Sequence, residues 1–85
     1  MEGGWLMSLW VRTDWSEVVI QVKGTVNSEH VEYLQERLLN CLREGYRKMK
    51  VSLNEVEIMD RSCESMLQDF ERLLAARGGS LIVEF

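Results

Sequence analysis

Apolar and polar residues alternate from Met7 to Thr13, with Met7, Leu9 and Val11 on one side and Ser8, Trp10 and Arg12 on the other. A period of two predicts a half-buried strand. Asp14-Trp15-Ser16 interrupts the pattern, and Glu17 to Lys23 then resumes it, Val18, Ile20 and Val22 opposing Val19, Gln21 and Lys23. Two such runs across a three-residue break predict an antiparallel hairpin, with Gly24 as its end.

The period then changes. Asn27-Ser28 offers an N-cap, and Val31, Leu34, Leu38, Cys41 and Leu42 recur at helical spacing until Gly45, placed to serve as a left-handed C′ residue. Met49, Val51 and Leu53 alternate with Lys48, Lys50 and Ser52 as a third strand, and Val56 to Met59 reads as a further strand segment. A second helix starts near Asp60 to Ser62, carries Met66, Leu67, Phe70, Leu73 and Leu74 on one face, and stops at Gly78-Gly79. Leu81, Val83 and Phe85 form a last strand.

The predicted class is therefore α/β in the order β-β-α-β-α-β, a mixed four-stranded sheet. Both strand-helix-strand units should cross over right-handed, which sets the two helices on one face of a sheet that grows in one direction. The opposite face should hold Gln21, Lys23, Lys48, Lys50, Ser52, Ser80 and Glu84, all polar. A sheet covered on both sides would instead read as continuous aliphatic runs. Leu6, Trp10, Val19 and Ile82 are the exceptions on that face, a candidate apolar patch for a partner or a second copy.

Length and composition narrow the class further. Eighty-five residues suit one domain, 1–85, with residues 1–5 expected to fray. A chain of this size buries only about 60–65% of its unfolded surface, so stability should be modest. No apolar run reaches the roughly 18–20 residues that cross a bilayer, and Met1-Glu2-Gly3-Gly4-Trp5-Leu6 is a poor signal peptide. No membrane association and a cytoplasmic location are the expectations. There is no proline, no repeat and no low-complexity segment.

The net charge of −4 is uneven: residues 1–28 hold two bases and three acids, 29–50 five and four, and 51–85 three and seven. An acidic second half argues against nucleic acid as partner and suits a basic patch on another protein. Arg47, Lys48 and Lys50 read as the wet side of a strand.

Enzymatic motifs are missing. There is no glycine-rich phosphate loop, because Gly78-Gly79 follows a helix instead of opening one. His30, the single histidine, reads as a solvated residue of the first helical turn, without a nucleophile at motif spacing. Glu32 and Glu36 read as a wet helical face. Cys41 and Cys63, 22 positions apart, give too few soft ligands for structural zinc; buried reduced thiols are expected, with one disulfide as the alternative. No cofactor, no metal and no catalysis are expected.

One run stands apart: Ile58-Met59-Asp60-Arg61-Ser62-Cys63-Glu64-Ser65-Met66-Leu67. It passes from a strand into a helix, where unpaired backbone N–H groups and the helix dipole collect. Asp60 or Ser62 could simply cap the helix. Ser62 could instead be a modification site.

Taken with Gly24-Thr25-Val26-Asn27 before the first helix and Gly78-Gly79-Ser80-Leu81-Ile82-Val83 after the second, this run resembles the STAS domain of bacterial anti-sigma factor antagonists over residues 6–85. Gly24, Val26 and Asn27 match the family's glycine, aliphatic and acid before its first helix. Asp60 and Ser62 match the acid and the second serine of its Asp-Ser-Ser-Gly-Leu run. The resemblance implies a non-catalytic interaction module whose Ser62 is phosphorylated by a partner that is both anti-sigma factor and serine kinase-like ATPase. It further implies a contact surface of Asp60, Arg61, Ser62, Cys63 and Glu64 together with Thr25 and Asn27 of the Gly24 to Asn27 loop. A phosphate adds about −1.5 to −2 charge and three acceptor oxygens, and at a helix N-terminus it need not unfold its host.

The chain departs from the family at several positions. Arg61 replaces the first serine, Cys63 the glycine and Glu64 the leucine, while Ser52 and Asn27 stand where the family has acids. Arg61 could pair with a phosphate on Ser62 or obstruct a kinase. Cys63 could have its pKa lowered by the helix end or be a small packing residue. Relatives also continue into a further helix, so a partner or a homodimer is expected to cover the surface it would occupy. Two alternatives keep the fold: a small STAS subunit on the ATPase of a lipid-transport ABC complex, and an anion- or nucleotide-binding STAS domain.

Overall fold

The computed structural model describes residues 7–85; Leu6 and the frayed N-terminus expected above lie outside them. The elements are β1 (Met7–Thr13), β2 (Glu17–Val26), α1 (Ser28–Arg43), β3 (Lys48–Met59), α2 (Arg61–Ala76) and β4 (Ser80–Glu84). The sheet order is β1-β2-β3-β4, with β1 antiparallel to β2 and the other neighbours parallel. This is the expected β-β-α-β-α-β mixed sheet.

Inward strand residues and the apolar stripes of both helices meet in one core. Val18, Ile20, Val22, Val51, Leu34, Leu38 and Leu74 are fully buried there. Each such side chain stabilises the fold by about 1.5–3 kcal/mol relative to exposure. The opposite face carries ion pairs between Lys23 and Glu55 at 3.0 Å and between Lys50 and Glu84 at 3.3 Å, and the Lys23 ammonium lies 5.0 Å from the Trp10 ring centre. Ser52 was expected on that wet face; its side chain does point there, but neighbouring strands on both sides and a hydrogen bond to Asn54 at 3.1 Å leave it buried.

The helices stop as their sequence punctuation dictates. Gly45 and Gly78, with φ of 105° and 80°, follow the C-caps Glu44 and Arg77. In α1 the Gly45 N–H donates to the Leu42 carbonyl and the Tyr46 N–H to that of Cys41; in α2 Gly78 donates to Ala75 and Gly79 to Leu74. Both are Schellman closures, which satisfy carbonyls that would otherwise be orphaned.

Three expectations need correction. Gly24 does not end β2: its φ of 92° lets the strand pass through an irregular register and continue to Val26, so Gly24 to Asn27 is mostly strand and not loop. Val56 to Met59 is the far end of one twelve-residue β3. Phe85 lies beyond β4 and is 76% exposed, so it does not extend the inward alternation of Leu81 and Val83.

The length of β3 has a specific origin. It pairs Gln21 with Ser52 but Lys23 with Glu55, and Gly24 with Val56 but Thr25 with Ile58. Each step inserts one extra residue in β3, and each insertion flips which side chains face the core. Inward positions therefore run Met49, Val51, Leu53, then Val56, then Met59. Ile58 is left facing out, 65% exposed.

Candidate functional site

Parallel strands β2 and β3 deliver the chain at the same end of the sheet to the N-termini of α1 and α2. The two joints are fastened to each other, because the Asp60 N–H donates to the Val26 carbonyl at 2.7 Å. Between them lies a cleft of about 490 Å3. Thr25, Val26 and Asn27 line it from the first joint, and Ile58, Met59, Asp60, Arg61 and Glu64 from the second.

Asp60 is the N-cap of α2, in extended conformation, and its carboxylate accepts from the Ser62 N–H at 2.9 Å and from the Ser62 hydroxyl. These two hydrogen bonds, the hydroxyl first, hold the Asp60 pKa below its ordinary value. Ser62 is exposed, at the second position of the helix, with its hydroxyl turned back on the cap. Of the two candidates for the cap it is Asp60 that takes the role, and Ser62 is exposed beside it.

Asn27 caps α1. Its side-chain oxygen accepts from the N–H groups of Glu29 and His30, both at 3.0 Å, while the Asn27 N–H donates to His30 Nδ1 at 3.1 Å. His30 is thus the second half of a capping box, half-buried, and not the solvated residue expected from sequence. Asn27 reaches the cleft with its oxygen already engaged.

Arg61 and Glu64 stand exposed on the rim, and Thr25 is buried in the wall. Cys63 is the exception among the expected contact residues. Its side chain is wholly buried in the core, so it cannot touch a partner, and burial, with Glu64 and Asp60 nearby, pushes its thiol up to about 11. The helix-end activation entertained for this cysteine is overturned, because desolvation outweighs the dipole. Cys41 is also buried, with its pKa raised first by burial and then by Glu44; both cysteines are free thiols.

Sequence reading missed Ile58. Simple alternation groups it with Val56 as inward, whereas the second insertion in β3 turns it out into the cleft. Of the apolar residues that line the cleft, Val26, Ile58 and Met59, it is the exposed one. Among the described residues no three His, Cys, Asp or Glu side chains converge as metal ligands, and no helix is long and apolar enough to cross a membrane.

A family model described as "Mlab, STAS domain" matches residues 10–84. No curated protein matches the chain. Among solved structures, the anti-sigma factor antagonist SpoIIAA in its unphosphorylated form is similar over 89% of this chain and 71% of its own, with 19% identity and a TM-score of 0.80. SpoIIAA described as a Bacillus cell fate determinant, in its phosphorylated form, aligns over 88% and 69% with 19% identity and a TM-score of 0.78. An anti-sigma factor antagonist from Mycobacterium paratuberculosis aligns over 92% and 66%, with 14% identity and a TM-score of 0.79. The likeness extends to Mglu, of which this chain spans 19%, with 89% of this chain covered, 24% identity and a TM-score of 0.77. At these identities the shared property is the fold.

Proposed function

The chain belongs to the STAS family, and from that premise we propose that it is a non-catalytic interaction module, a partner-switching regulator of the anti-sigma factor antagonist kind. Its partner is a cytoplasmic anti-sigma factor that doubles as a serine kinase-like ATPase, and Ser62 is the switch. One observation carries this reading: an exposed serine at the mouth of α2 donates its hydroxyl to Asp60, and Asp60 lines a cleft together with the outward-facing Ile58.

The chemistry of the switch follows from the Asp60–Ser62 pair. Phosphorylation removes the hydroxyl proton that Ser62 donates to Asp60 and adds about −1.5 to −2 charge beside that carboxylate. Repulsion between the two anions drives them apart and reshapes the rim. The Ser62 N–H, once released by the Asp60 carboxylate, and the Arg61 guanidinium one residue away are then placed to receive the phosphate. Affinity for the partner changes while the fold persists. The cleft residues Ile58 and Glu64 supply the apolar and charged parts of the contact.

The experiment is intact mass after incubation with ATP and a candidate serine-kinase anti-sigma factor. The expected gain is about 80 Da, one phosphoryl group, abolished by Ser62→Ala. Binding should fall with Ser62→Asp and with Ile58→Glu. A complex indifferent to both substitutions, with no gain in mass, overturns the reading.

A second reading keeps the surface and drops the switch: a small STAS subunit seated permanently on a transport ATPase. The description of the matching family model favours it, as do Arg61 and Cys63 in place of the family's serine and glycine. Stable co-purification with such an ATPase, sensitive to Ile58→Glu but without phosphorylation, selects it.

A further inference from the structure

On the other flank of α2 lies a second depression, a groove of about 300 Å3 between the helix and strand β4. Its floor is Leu67 and Val83, its outer wall Phe85, and its rim Glu64, Gln68 and Glu71. No cationic side chain lines it. Among the described residues neither Glu64 nor Glu71 takes part in an ion pair, whereas Glu84 nearby is held by Lys50 on the opposite face.

The groove runs beside a free sheet edge. Among the described residues strand β4 pairs with β3 alone, and the Ser80 N–H is spent on the Arg47 carbonyl at 2.9 Å. Backbone groups alternate in direction along a strand, so those of Leu81 and Val83 turn to the unpaired side. The residue whose side chain floors the groove, Val83, therefore also offers main-chain hydrogen bonds at its border. An apolar floor, two uncompensated carboxylates and an unpaired edge select one kind of ligand: an extended segment that adds as a strand, with an aliphatic side chain turned inward and lysine or arginine on either side.

We propose that the α2–β4 groove is a second docking surface, built for an extended basic-flanked peptide segment of a partner protein and distinct from the cleft between the starts of the two helices. Glu64 stands between the two depressions, while Glu71 and Phe85 belong to the groove alone. Both are exposed and lie outside the core, so they can be changed without unfolding the chain.

The test uses fluorescence polarisation with a short labelled peptide of alternating valine and threonine, flanked at each end by two lysines. A twin flanked by glutamates serves for comparison. The lysine peptide should bind at least about tenfold more tightly than its twin, and the difference should shrink as salt screens the rim. Glu71→Lys should abolish the preference and Phe85→Ser should weaken binding, whereas Ile58→Glu, which disables the cleft, should leave both unchanged. Equal binding of the two peptides, absence of binding, or loss with Ile58→Glu overturns the proposal. So does a concentration-dependent dimer that Phe85→Ser dissociates, since a second copy would then be the occupant.

Discussion

The Ser62 hydroxyl and the Ser62 N–H both donate to the carboxylate of Asp60, so a single acid caps the helix and fixes the orientation of the serine. The Asp60 pKa lies below its ordinary value of 3.8, and the hydroxyl is the larger cause. Ser62→Ala should therefore move the Asp60 titration upward, read by side-chain carboxyl NMR through the acid range. A carboxylate whose folded pKa is depressed contributes stability above its unfolded pKa and loses it as pH falls through the folded value. On acidification the wild-type protein should accordingly lose more stability than Ser62→Ala. An unmoved titration would refute the hydroxyl as donor.

The Asn27–His30 capping box makes a second prediction. Asn27→Ala should cost about 1 kcal/mol in urea unfolding. His30→Ala should cost a smaller amount, and His30→Gln should restore it, because glutamine can also reach back to the cap N–H. If His30→Gln is no better than His30→Ala, the reciprocal bond is absent in solution.

Both thiols should resist labelling in the native protein at pH 8 and react on unfolding, monitored by iodoacetamide and mass. For Cys63, burial raises the pKa from 9.0 to about 11. A group raised in the folded state contributes stability below its unfolded pKa and loses it as pH climbs through the folded one. Stability should thus decline between about pH 9 and 11, and Cys63→Ala should flatten that decline. Rapid native labelling of Cys63 would contradict its burial.

Gly79 and Gly45 separate steric from torsional cost. A Cβ at Gly79 would lie 2.2 Å from the Arg47 carbonyl oxygen, a backbone atom that cannot swing away. Gly79→Ala should destabilise by about 1–3 kcal/mol, as overpacking does. At Gly45 a Cβ meets nothing within 4 Å, so Gly45→Ala carries only the left-handed backbone penalty of about 1–2 kcal/mol. Hydrogen exchange should place the Gly79 effect at the β4 start, where the Ser80 N–H meets that same Arg47 carbonyl.

The element order, the sidedness of the sheet and both helix stops were legible from period and punctuation, because Val18, Ile20 and Val22 or Leu34 and Leu38 can be satisfied in only one way. Asp60, Ser62 and Asn27 were legible as helix-start chemistry for the same local reason. Two features were not. Ile58 depends on where β3 gains a residue against β2, a property of strand pairing that neither strand carries alone. His30 resembles a solvated residue until the Asn27 N–H is seen to need an acceptor.

The bond from the Asp60 amide to the Val26 carbonyl welds two lips of the cleft that are over thirty residues apart in sequence. A protein docking there would thus meet a ready-made jaw instead of two strings to be ordered. Little ordering entropy is then charged to the encounter. An added phosphate at one lip would be registered across the whole mouth.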